Sequence, residues 1–186
     1  MIVVRDDDVL LNSKQHPDPC LRFMTVHEAI KSRGFHHVPT LLCSDLNLWP
    51  AAVAFIKQEE ETGHMTAQYH GMQHVDYALF SEVELLADYA QGQDWFVNNL
   101  GHKFTRHYTP WGAGAKWMTR GKLIRPTALS VNIEMIDCDG MLEPETIIND
   151  TDASWAKYDG REIFIHWWAG IGALIKSLDK LNETRP

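Results

Sequence analysis

The sequence predicts an α/β fold with parallel strands. Three observations carry that prediction. Short apolar runs alternate with segments of helical periodicity. The helical segments open and close on recognisable start and stop residues. The residues with the most chemistry fall just after the apolar runs, at the edge where parallel α/β folds build their sites. At 186 residues the chain is read as a single domain, 1–186, long enough to bury a core without disulfides.

The first element is the run Ile2-Val3-Val4, which ends abruptly in charge and reads as a buried strand emptying into an acidic loop, Asp6-Asp7-Asp8. Asp18-Pro19 is a helix start, and 21–33 has helical spacing at Phe23, Met24, His27 and Ile30 before Gly34 ends it. Residues 38–43 form a second strand, with Asp45 at its mouth. Trp49-Pro50 opens a helix with Ala52, Val53, Phe55 and Ile56 inward and 57–61 outward, capped by Gly63. Residues 65–69 form a third strand delivering His70. Ser81 begins a long helix carrying Val83, Leu85, Leu86 and Tyr89, and a further helical piece covers 95–100. Strands are expected at 103–108, 127–136 and 163–165, the last ending at His166. Residues 140–154 read as a surface loop, and 173–181 as a closing amphipathic helix.

Composition excludes some partners. A formal charge of -8 argues against nucleic acid and against an anionic membrane surface, since either calls for a basic patch. Cys20, Cys43 and Cys138 are odd in number and lack metal-knuckle spacing, which points to a reducing compartment. Charge begins at Arg5, so the N-terminus carries no signal-peptide apolar region, and the chain is expected in the cytoplasm.

Chemistry concentrates in His70-Gly71-Met72-Gln73-His74. In a helical turn, two histidines four apart share a face and can aim at one cation. Two His and one carboxylate are a common ligand set for a catalytic divalent metal with open positions, and the acidic triplet supplies the carboxylate. The Glu of His-Glu-x-x-His is absent, which removes the usual metalloprotease reading. His166, at a strand end between Ile165 and Trp167, suits a general acid near neutrality. Pro110-Trp111-Gly112 is either a plain turn or a source of backbone N–H groups for an oxyanion.

Taken together these residues resemble the metal-dependent polysaccharide deacetylases of carbohydrate esterase family four. The likeness rests on Asp7-Asp8, on His70 to His74 approached through Gly63-His64, on Pro110-Trp111-Gly112 and on Ile165-His166, in that order. It implies a distorted, possibly incomplete (β/α) barrel. It also implies roles: Asp7 as catalytic base, Asp8, His70 and His74 as metal ligands, His166 as general acid, and the Trp111 N–H at the oxyanion. The implied cofactor is a divalent metal, zinc foremost, whose bound water attacks an acetyl group on an amino sugar or polysaccharide. Departures are Asp6, a third carboxylate that could shift base and ligand by one, Val9 for a usual Gly, and Gly71 for a usual Ser or Thr. Tyr108 stands where many members carry an Arg that braces the base, and Asp152-Ala153-Ser154-Trp155 only echoes a further motif. Two other functions stay open: a protein of this fold that binds glycan or protein without turnover, and a hydrolase of another small amide or ester.

Overall fold

The computed structural model describes residues 3–10, 14, 17–110, 124–136, 145–146, 157–158, 162–168 and 170–183. The strands are β1 Val3–Val9, β2 His36–Leu42, β3 Gln68–Gly71, β4 Arg106–Tyr108, β5 Glu134–Ile136, β6 Glu145–Thr146, β7 Lys157–Tyr158 and β8 Glu162–His166. The helices are α1 Pro19–Lys31, α2 Cys43–Leu46, α3 Pro50–Glu61, α4 Glu82–Leu100, α5 Ile124–Ser130 and α6 Ile171–Glu183. They form one sheet in the order β5-β4-β3-β2-β1-β8-β7-β6. From β5 to β8 every neighbouring pair is parallel, while β7 and β6 add antiparallel at the edge. Among the described residues the sheet does not close, so the expected α/β architecture is an incomplete barrel. Among the described residues no helix is long and apolar enough to cross a membrane.

Local signals explain the helices. Asp18 caps α1 by accepting from the Leu21 N–H at 3.2 Å, and Pro19 occupies the first turn. Ser81 and Glu84 form a reciprocal capping box on α4, which runs unbroken to Leu100, so the two helical pieces expected there are one. One apolar cluster packs Phe23, Leu41, Ile56, Tyr69, Leu85 and Phe96 together. A second places α1 and α6 against β1 and β8 through Val4, Val26, Ile30, Ile163, Leu174 and Leu178. Each such buried side chain contributes about 1.5–3 kcal/mol.

Other expectations need correcting. Residues 127–130 are helical in α5, and only 134–136 pair as a strand. The helix stops at the turn through Asn132, whose φ is 61. Met65 makes only an isolated bridge to His37, and β3 proper starts at Gln68. Of the expected 140–154 loop, residues 145–146 pair as β6 and the rest lie outside the described residues. The acidic triplet belongs to β1 rather than to a loop, because Asp6 and Asp7 continue the parallel pairing with β8.

Glu59 was expected outward on α3 but is buried, because it ends a polar chain behind the sheet. Lys31 Nζ lies 2.8 Å from Glu59 Oε2, and His27 Nε2 lies 3.1 Å from the same atom. His27 Nδ1 meets His37 Nδ1 at 3.0 Å, and His37 Nε2 faces Asp6 Oδ2 at 3.5 Å. Burial lowers the pKa of His37 strongly and that of His27 less, and it lowers His107 to about 3. The unfolded chain takes up protons on these rings below pH about 6.5, whereas the folded chain takes them up only at lower pH. Stability is therefore expected to fall with pH from about 6.5 downward, by up to about 1.4 kcal/mol per pH unit for each such ring. Urea midpoints at pH 7 and 5 measure this, and the dependence shrinks in His107→Gln.

Candidate active site

The site forms where β1 leaves the sheet. Regular strand alternation would send Asp7 and Asp8 to opposite faces. Instead the β1–β2 register shifts between Asp6 and Val9, and Asp8 adopts a left-handed φ of 58. Aspartate is among the few residues that tolerate that conformation. This bulge keeps Asp7 and Asp8 on one side, so that His70 and His166 both feel both carboxylates. Asp6 faces away, toward His37. Asp7 and Asp8, rather than Asp6, therefore stand beside the imidazoles.

His70 and His74 do not share a helix. His70 is in β3, and Gly71 then takes a φ of 146 that side chains with a Cβ rarely adopt. A Cβ on Gly71 would also lie 2.6 Å from the Tyr77 hydroxyl, which explains glycine in this place. The Val75 N–H donates to the Gln73 carbonyl at 3.0 Å, so His74 is the centre of a γ-turn. The reversal brings both rings to one oxygen: Asp8 Oδ1 is 2.8 Å from His70 Nε2 and 2.9 Å from His74 Nε2. His166, paired in register with Asp7 across β1 and β8, places Nε2 3.4 Å from Asp8 Oδ2.

Burial opposes charge on Asp8, but hydrogen bonds and charge from His70 and His74 outweigh it and hold the carboxyl well below its usual range. Burial would likewise lower His70, yet Asp8 and Asp7 raise it. His166 is lowered by burial, partly offset by Asp7 and Asp8. Burial, reinforced by Asp7 and Asp8, pushes Asp6 well up.

The donor set fits a divalent cation. His70 donates its Nδ1–H to the Tyr108 carbonyl, which leaves the Nε2 lone pair facing Asp8. Two acceptors that close repel unless a proton or cation lies between them. Ligand lengths of about 2.0–2.1 Å at tetrahedral angles put zinc ligand atoms roughly 3.3 Å apart. The present 2.8 and 2.9 Å need only slight opening. His27, Glu28 and Glu59 form a second convergent group, but Lys31 already supplies a cation there.

Asp7 accepts from the Thr40 hydroxyl at 2.8 Å and pairs with Arg5 Nε at 3.2 Å. Arg5 is 1% exposed, and its guanidinium lies 5.1 Å from the centre of the Tyr108 ring. Thus the residue at the family's Arg position covers a guanidinium supplied by β1. Arg106 instead bonds the exposed Glu134 at 2.9 Å. Arg5 and Thr40 carry no motif. The available signal was the i, i+2 spacing of Arg5 and Asp7 on one strand face. Trp111, Gly112 and the 152–155 echo lie outside the described residues.

No protein-family model matches the chain, and no curated protein does. Solved structures do match. Peptidoglycan deacetylase PdaC from Bacillus subtilis superposes with a TM-score of 0.68 at 16% identity, over 98% of this chain and 83% of that one. A family 4 carbohydrate esterase from Streptomyces lividans, solved in complex with acetate, gives 0.65 at 12%, over 97% and 88%. BA3943 from Bacillus anthracis, described as a CE4 family pseudoenzyme, gives 0.71 at 12%, over 98% and 60%. This chain therefore has the polysaccharide deacetylase-like fold, one that serves esterases and a pseudoenzyme alike.

Proposed function

We propose that the protein is a metal-dependent deacetylase that hydrolyses an acetyl group on an amino sugar or polysaccharide. The observation that carries this reading is the convergence of His70 and His74 on one oxygen of Asp8, with Asp7 held beside it. Asp8, His70 and His74 would hold the cation, with zinc favoured by the ligand types. When bound, such a cation acidifies water from about 16 to near 7 and polarises a carbonyl.

The chain's own residues supply the remaining chemistry. Asp7, its Oδ1 fixed by Arg5 and Thr40, takes a proton from the attacking water. His166 delivers a proton to the leaving amine, which departs poorly without one. Trp111 is proposed to give its backbone N–H to the developing oxyanion. The fold likeness to a pseudoenzyme favours a second reading, glycan binding without turnover.

The test is acetate release from N-acetylglucosamine oligomers, with zinc supplied and then removed by chelation. Release that chelation stops and zinc restores supports the reading. Stoichiometric zinc without release from any acetylated sugar favours the second.

Arg5→Gln gives a separate prediction. It removes the guanidinium paired with the buried Asp7 carboxylate, so a loss of about 3–5 kcal/mol in urea unfolding is expected.

A further inference from the structure

The segment carrying His74 is held from behind by a carboxylate outside the site. Asp88, on the inner side of α4, accepts from the Tyr77 hydroxyl at 2.8 Å through Oδ2. The same oxygen accepts from the Tyr69 hydroxyl, and the carboxylate also accepts from the Met72 backbone N–H. Tyr69 is in β3 one residue before His70, whereas Met72 and Tyr77 bracket the γ-turn at His74. One carboxylate therefore ties the strand that fixes one imidazole to both ends of the turn that presents the other. Tyr69 and Tyr77 are both fully buried, and the Tyr77 hydroxyl packs against Gly71. The Met72 carbonyl accepts from the Ser44 N–H at 3.0 Å, a second tether on the same side.

We propose that Asp88 is a positioning residue for the paired imidazoles: it closes the 71–77 turn so that His74 reaches Asp8 with His70 already in place. The inference rests on the metal-site reading above. Asp88 joins Tyr69 of β3 to Met72 and Tyr77 at the two ends of the turn, and without this tie the turn opens. His70 stays in β3 with its Tyr108 partner, so the loss falls on His74. Outer partners of metal ligands typically change metal affinity by about 10–100-fold when removed.

The experiment combines zinc titration with site-resolved hydrogen exchange on the full chain. Asp88→Ala is expected to weaken zinc about 10–100-fold and to speed exchange in 72–76, with the amides of β1 and β2 unchanged. Asp88→Asn keeps one oxygen able to accept both hydroxyls, so it should restore affinity to within a few-fold of wild type. Tyr77→Phe, which removes only the bond to the far end of the turn, should fall between the alanine and asparagine variants. Wild-type zinc affinity and wild-type exchange in Asp88→Ala would overturn the proposal. So would faster exchange spread equally over the sheet, since that describes a purely structural role. If the wild-type chain binds no zinc, the metal reading fails and exchange in 72–76 alone decides this one. If zinc binds but no acetate is released, the deacetylase reading fails while the positioning role stands.

Discussion

Supplied with zinc, the wild-type chain should hold one equivalent of metal, and His70→Ala or Asp8→Ala should hold none. Asp8 Oδ1 is the point on which both imidazoles converge, so its removal leaves two histidines and no anionic ligand. His70 is orientated by the Tyr108 carbonyl, and its removal leaves His74 as the one imidazole on Asp8 Oδ1 among the described residues. Loss of one ligand of three costs far more than loss of an outer partner, so affinity should drop by well over about 100-fold. Inductively coupled plasma analysis of the dialysed proteins reads the result directly. Metal retained at one equivalent in both variants would show that it binds elsewhere. The wild-type protein should also release protons on binding zinc, because the metal displaces the proton that Asp8 and Asp7 favour on His70.

The second large effect belongs to Asp7→Asn. Asparagine keeps an oxygen for Thr40, and the metal ligands are untouched, so zinc content should stay at one equivalent. It cannot accept the proton that turns water into a nucleophile. A positioned general base is worth about 10²–10⁴-fold, and kcat should fall by that factor. KM should move little, because no binding group is lost. Unchanged kcat would remove Asp7 from the reaction. Asp6→Asn gives the contrast: its carboxylate lies behind the sheet against His37, so acetate release should remain within a few-fold.

Helices α1 and α4 and the parallel character of the strands were legible because they rest on local signals: Asp18-Pro19, the Ser81–Glu84 box, and apolar runs ending in chemistry. The site was legible as pairs of residues but not as geometry. Spacing of four suggested a helix for His70 and His74, yet Gly71, with its φ of 146 and no room for a Cβ, bends the strand instead. Arg5 was hidden because a charge at the end of an apolar run ordinarily meets solvent, and only the neighbouring strands show that it is buried beneath Tyr108. Glu59 was hidden for a related reason: its partners, His27 and Lys31, lie on another helix.

The irregularity in β1 gives the acidic triplet a property that composition does not reveal. Its three members are chemically alike but answer to three different sets of neighbours: Asp6 to His37, Asp7 to Thr40 and Arg5, Asp8 to the imidazoles. Deleting any one of them yields the same polypeptide, Arg5 followed by two aspartates and Val9. With Arg5 and Val9 both kept in frame, the shortened strand would pair regularly and its two acids would point opposite ways. One would go to the hidden chain of histidines and the other to the guanidinium, leaving no oxygen for the pair across the sheet. What this stretch encodes is a count of residues, and a single lost codon would silence it more thoroughly than many changes of side chain.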